Sequence, residues 1–145
     1  MKPSNMRAIA ICVIRNEDSI FVFEGRDEEK DETFYRPLGG AIEFGEYSIE
    51  TVQREIGEEI DEEIRNIRYL GMLENVFHYE GEIGHEIVII YEADFVDQAI
   101  YKKNWVTGYE NDGKKFIAVW KPIEHFKNSN APLYPDGLLQ LLAEQ

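Results

Sequence analysis

Cysteine is nearly absent from this chain. Cys12 is the only one in 145 residues, so an internal disulfide and a cysteine-based metal cluster are both excluded. Histidine is scarce too, at His78, His85 and His125, which argues against a histidine-rich zinc site. Cations are outnumbered, 15 Lys and Arg against 29 Asp and Glu, for a formal charge of −14. A duplex nucleic-acid binder needs a basic surface to displace counterions, and an anionic membrane would repel this one. The longest apolar run, Ala8 to Ile14, is too short to cross a bilayer and lacks the layout of a signal peptide. Repeats, low-complexity tracts and linkers are also missing. What the chain does hold, 43% hydrophobic and 12% aromatic residues, is the makeup of a globular protein. The expectation is one soluble, cytoplasmic domain over residues 1–145.

The run from Ala8 to Ile14 is β-branched and continuously apolar, the pattern of a strand buried on both faces. Asn16-Glu17-Asp18 has turn chemistry, so Ser19 to Phe23 reads as the return strand of a hairpin. Gly25 to Thr33 is charged without an apolar period and predicts an exposed loop. Phe34 to Leu38 reads as a short extended piece that Pro37 confines to an edge or a strand end. From Ser48, a plausible N-cap, the period changes. Ile49, Val52, Ile56 and Ile60 form one helical stripe. Ile67 to Phe77 and Ile87 to Phe95 read as strands joined around Glu80 to Gly84. Lys115 to Trp120 reads as a strand leaving the Asn111-Asp112-Gly113 turn, and Pro135 to Ala143 as a closing helix. Strands on both sides of one central helix predict a mixed α/β domain, not a doubly wound sheet.

The informative segment is acidic. On a helix, Glu55, Glu58, Glu59 and Glu62 fall at i, i+3, i+4 and i+7, so four carboxylates share one face, with Arg54 the only cation among them. Like charges at these spacings each cost an isolated helix roughly 0.2–0.5 kcal/mol. Hard divalent cations such as Mg²⁺ or Mn²⁺ explain the arrangement, because they take carboxylate and phosphate oxygens and invert the local potential for an anionic guest. The glycines before the helix let backbone approach such a guest closely. Any three acids in so acidic a chain make an ordinary solubilising face. Gly40, Glu46, Arg54, Glu55, Glu58 and Glu59 are six identities at fixed offsets, whose chance placement is on the order of one in several thousand or rarer.

This segment resembles the Nudix box, Gly-x5-Glu-x7-Arg-Glu-U-x-Glu-Glu-x-Gly-U with U apolar. The match runs from Gly40 through Glu59, then departs: Asp61 stands at the last glycine and Glu62 at an apolar position. Asp adopts the left-handed conformation less readily than Gly, so the departure bears on the helix exit more than on the ligands. The Tyr35-to-Gly40 approach, the Ala118-Val119-Trp120 strand before Pro122, and the Leu133-to-Gly137 lead into the last helix extend the resemblance. It implies an α/β/α sandwich with a mixed sheet and a central acidic helix, and Mg²⁺-dependent hydrolysis of a nucleoside diphosphate linked to another group. Carried over, Glu55, Glu58, Glu59 and the carbonyl of Gly39 hold metal, Arg54 holds the glutamates, and Gly40 and Glu46 support the loop–helix junction.

The box does not settle the general base; many relatives use a carboxylate from a loop outside it, which the resemblance would place here at Glu82, Glu86 or Glu110, with Glu110 preferred beside its turn, although each alone is more often a surface acid. For substrate, Arg26, Arg36 and Lys103 are candidate phosphate contacts, although each cation alone is more often a solvated charge. Phe44, Phe77, His78, Tyr79 and Trp105 are stacking candidates, although each aromatic alone more often fills a core. His85 and Glu86 open an apolar strand, where a structural hydrogen bond is the simpler role. The partner is a small nucleotide-type substrate, and relatives often form homodimers. A Nudix-fold binding module without turnover is the alternative, motivated by Asp61 and Glu62.

Overall fold

A computed structural model describes residues 5–79, 81–128 and 131–144. Strand β1 (Met6–Asn16) carries the apolar run, and alternation sends its side chains into two cores. Ala10, Cys12 and Ile14 pack with Phe21, Phe95 and the buried stripe Val52, Ile56 and Ile60 of helix α1 (Ser48–Ile60). Ile11 and Val13 pack the other way with Val88 and Ile90, under Phe126 of α2 (Ile123–Asn128) and Leu138 and Leu142 of α3 (Leu138–Ala143). Helices thus cover both sheet faces, the α/β/α sandwich expected.

The sheet runs β5 (Ile64–Tyr79), β6 (Glu82–Phe95), β1, β2 (Ser19–Asp27), β8 (Lys115–Pro122), β7 (Trp105–Tyr109). It is mixed: β1 and β6 pair in parallel and the remaining pairs are antiparallel. Its centre is forked. β1 and β2 pair only next to their turn, at Arg15–Ile20 and Asn16–Ser19. Beyond that they diverge, and each acquires a new inner neighbour. β4 (Leu38–Ala41) pairs with β1 from Cys12 back to Ile9, and β3 (Glu32–Arg36) pairs with β2 from Phe23 to Asp27. Pro37 is the crossing point between the arms, where its missing N–H breaks no ladder bond.

Several boundaries differ from the sequence reading. The charged segment after Gly25 is not a loop: β2 continues to Asp27 and β3 starts at Glu32, because ladder bonds hold this hairpin without an apolar period. Ile49, expected on the buried stripe, is 38% exposed. Tyr47, not Ser48, is the N-cap residue. Its N–H donates to the Glu50 carboxylate at 2.8 Å, while the Ser48 hydroxyl meets the Tyr91 hydroxyl at 2.7 Å. Glu62 lies beyond the helix and does not extend the acidic face. Asp61 closes α1 in the left-handed conformation, φ 55° and ψ 45°, with its N–H donating to the Gly57 carbonyl at 3.0 Å. The last helix starts at Leu138, three residues later than read. β7, α2 and a 3₁₀ turn over Gln98–Lys102 were not anticipated, being short elements whose apolar positions do not repeat. No helix among the described residues is long and apolar enough to cross a membrane.

Candidate active site

Helix α1 lies against β4 and β1 of one arm of the fork and reaches β7 of the other, and it presents Arg54, Glu55, Glu58 and Glu59 to the opening. Arg54 is the hub of the ion pairs. Its Nε donates to Glu46 Oε2 at 2.8 Å, and its Nη2 to Glu46 Oε1 and the Ala41 carbonyl, both at 3.1 Å. Its Nη1 donates to Glu55 Oε1 at 2.7 Å and Glu58 Oε1 at 2.9 Å, and Glu43 lies 3.1 Å from Nε. Glu46 also accepts from the Thr51 hydroxyl at 2.7 Å and the Glu43 N–H at 3.1 Å. The hydrogen bonds from Arg54 and Thr51 hold the Glu46 carboxyl down to about 2. The loop before the helix is therefore tied to its second turn through one guanidinium, whose five donors suit this geometry.

Gly40 is required by contact. A Cβ there would stand 2.4 Å from Glu55 Oε2, so the backbone of β4 lies directly on that carboxylate. At Gly39, a Cβ would meet the Ala10 carbonyl oxygen at 2.1 Å.

Glu59 is different from its neighbours. It is 9% exposed, and its Oε1 is buried with no hydrogen-bond partner. Burial, then the negative charge of Glu55, pushes its carboxyl up to about 8, opposed by Arg36 and reinforced by Glu110 and Glu58. Glu55 is also raised, because burial outweighs its bonds to Arg54. Among the described residues no three His, Cys, Asp or Glu side chains form a ready-made metal cage, since Glu55 and Glu58 are turned onto Arg54. The donor set still suits a hard cation: the oxygens are carboxylate and carbonyl, and a buried oxygen lacks the positive partner that would offset its desolvation.

These groups line one side of a cleft of about 820 Å³ between the arms of the fork. Of the residues singled out in the sequence, Gly39, Gly40, Arg54, Glu55, Glu58, Glu59, Arg36, Phe77, His78, Glu86 and Glu110 all line it. Arg36 lies 4.6 Å over the Phe23 ring. Glu86 pairs with Arg7 at 3.4 Å, whereas Glu110 sits on the turn between β7 and β8. Other candidates lie elsewhere. Arg26 is paired with Asp31, His85 bonds Glu74 at 3.4 Å, Phe44 is fully exposed and Trp105 is 61% exposed. Glu82 and Lys103 do not line the cleft, and the side chain of Tyr79 lies outside the described residues.

Sequence reasoning missed Asp27, Phe34, Asn75 and Tyr134, which also line the cleft. Asn75, buried in β5, grips the loop before α3: its Oδ1 accepts the Asp136 N–H at 3.0 Å, and its Nδ2 donates to the Asp136 carbonyl at 3.4 Å. No local motif marks these residues, because the fork and that loop bring them together.

Comparison with known proteins agrees with the geometry. A MutT NUDIX hydrolase from Burkholderia pseudomallei superposes with a TM-score of 0.67 at 18% identity, covering 95% of this chain and 97% of the other. A NUDIX hydrolase from Nitrosomonas europaea gives 0.67 at 16% identity, covering 97% and 88%. An ADP compounds hydrolase gives 0.66 at 17%, covering 99% and 74%. At such identities the likeness shows a shared fold, while membership is carried by the match of the NUDIX domain model to residues 4–141. The chain belongs to the NUDIX family of hydrolases, which act on nucleoside diphosphates linked to other moieties.

Proposed function

We propose that this chain is a single-domain, cytoplasmic, Mg²⁺-dependent pyrophosphohydrolase of a small nucleotide, with Mn²⁺ able to substitute. The observation that carries the reading is the buried, unpartnered Oε1 of Glu59, beside two further carboxylates and close to an uncovered backbone. Glu55, Glu58, Glu59 and the Gly39 carbonyl would hold the metal. When bound, the ion supplies Lewis-acid polarisation of the pyrophosphate.

The chain's own residues do the rest. Arg54 and Glu46 are positioning residues that fix the glutamates and the loop before the helix. Gly40 leaves room for Glu55. Arg36, over the Phe23 ring with no carboxylate hydrogen-bonded to it among the described residues, takes a phosphate of the substrate. Phe77, across the cleft, contacts the organic part. Glu110 accepts the proton of the attacking water, as a side chain on the turn that lines the same cleft as Glu59. The P–O–P bond then breaks to give a nucleoside monophosphate and a phosphorylated second group. Such catalysis is mainly positioning and electrostatics.

The non-catalytic alternative was motivated by Asp61 and Glu62. Asp61 takes the left-handed exit, and Glu59, two residues earlier, stays buried, so the departure gives that alternative no support. The test is a panel of nucleotides with Mg²⁺, scored for monophosphate release. Product with the wild type and none with Glu59→Gln is expected; binding without product would overturn the hydrolase reading.

A further inference from the structure

The faces of β2 and β3 that look into the cleft form three rungs. Phe23 opposes Arg36, Gly25 opposes Phe34, and Asp27 opposes Glu32. Alternate residues share a strand face, so the rungs succeed one another at about 6.6 Å. The first rung lies toward the acidic helix, where the charge of Arg36 is felt at Glu59. The second is a ring platform. Phe34 lies over Gly25, where a Cβ would meet the ring at 2.4 Å, and the Tyr134 ring is 5.6 Å away. The third ends at Asp27.

Asp27 is 5% exposed and lines the cleft. Its Oδ1 accepts the N–H groups of Glu29 at 3.1 Å and Lys30 at 3.2 Å. Its Oδ2 takes no hydrogen bond from the described residues. The tyrosine beside it registers the carboxylate: burial, then Glu32, Asp136 and Asp27, raise the Tyr134 hydroxyl. A turn alone would use one oxygen and be equally well served by Asn, which accepts the same two N–H groups. The second oxygen, which has no donor among the described residues and is not sealed from solvent, is left to accept from a guest in the cleft.

Resting on the hydrolase reading above, we propose that Asp27 is a specificity-determining residue that reads an amino group on the substrate's nucleobase. The phosphates lie toward Arg36, the base lies on Phe34 and Tyr134, and its edge reaches Asp27 Oδ2. An ionised carboxylate only accepts hydrogen bonds, so it pairs with an amino N–H and repels a carbonyl at the same place. Adenine carries such an amino group at position 6 and guanine at position 2; hypoxanthine carries neither. The two bases share the chemistry, and the test separates them.

The anchored oxygen makes the test sharp. In Asp27→Asn the two backbone N–H groups still demand an acceptor, so the amide oxygen takes the Oδ1 position and the NH₂ faces the cleft. A donor now stands where an acceptor stood, and it favours a carbonyl edge.

Binding of AMP, GMP and IMP, none of which has a pyrophosphate bond to cleave, is measured by calorimetry on the full chain with Mg²⁺. Wild type is expected to bind IMP at least tenfold more weakly than the better of AMP and GMP, a typical loss for one hydrogen bond to a charged group. Asp27→Asn should shift that ratio at least tenfold toward IMP. Asp27→Ser, whose hydroxyl still accepts the turn N–H groups, should bring it near one, and serves if the Asn variant does not melt cooperatively. Equal wild-type affinities, no measurable binding into the millimolar range, or a preference that Asp27→Asn and Asp27→Ser leave unchanged would each overturn the assignment. Because this measurement needs no turnover, a chain that binds with the stated preference but releases no product would sink the hydrolase reading alone.

Discussion

Replacing Glu59 by Gln should make the metal-free protein more stable while destroying its activity. The folded carboxyl titrates at about 8 against an ordinary 4.5, because burial and the Glu55 charge oppose ionisation. Between those values the folded state holds a proton that the unfolded chain has released, so stability falls as pH rises from 4.5 and levels off above 8. By linkage the loss is about 3 kcal/mol at pH 7 and about 5 kcal/mol above pH 8. Gln has the shape of the protonated acid and no such loss. At about 2–4 °C per kcal/mol for a chain of this size, its Tm at pH 7 should exceed the wild type's by about 6–12 °C, converging toward pH 4.5. Mg²⁺ should narrow the difference, since it stabilises the wild type and not the variant. Thermal melts of both proteins from pH 4.5 to 9, with EDTA and with Mg²⁺, measure all of this. Equal metal-free Tm values across that range would refute the reasoning, because they would mean that the Glu59 oxygens meet no penalty.

Four further outcomes follow from the site. Gly40→Ala should displace the Glu55 carboxylate and lower kcat/KM about 10–100-fold, the usual effect of disturbing a ligand's support, measured alongside a Mg²⁺ titration. Arg54→Gln should free Glu46, Glu55 and Glu58 together and lower both Tm and kcat; the Glu46 carboxyl, held at about 2, should return toward 4.5 by NMR titration. Because that group is lowered in the folded state, its contribution is present above 4.5 and vanishes as pH falls through about 2. Asp61→Gly should be neutral or stabilising by up to about 1 kcal/mol in thermal melts, since Gly takes the left-handed exit without strain but gains unfolded-state freedom. Cys12, buried with its thiol pushed up to about 12, should resist alkylation until the protein is unfolded, as mass spectrometry would show.

What could be read from the chain was whatever repeats locally. The β1 run and the Val52, Ile56 and Ile60 stripe declare their periods, so the central strand and the acidic helix were legible within two residues at most ends. The box residues were legible because one helix and its preceding loop hold all of them. The hairpin of β2 and β3 was missed beyond Phe23 because its stability lies in ladder bonds between Gly25, Phe34, Arg26 and Thr33, which leave no hydrophobic pattern. Asp27, Asn75 and Tyr134 were invisible for another reason: they sit 48 and 59 residues apart in sequence and meet only where the fork opens. Glu62 was misread because helical spacing was carried past Asp61, where the backbone turns left-handed.

The crossing at Pro37 has an evolutionary meaning. The acidic helix packs on β4, β1 and β7, whereas Arg36, Phe34 and Asp27 ride on β3 and β2, so two neighbouring strands with one proline between them belong to separate ladders that the helix bridges. Phe34 and Asp27 can therefore be exchanged without disturbing the glutamates, whereas Arg36 and Glu110, whose charges reach Glu59, tie the accepting arm to the cleaving one.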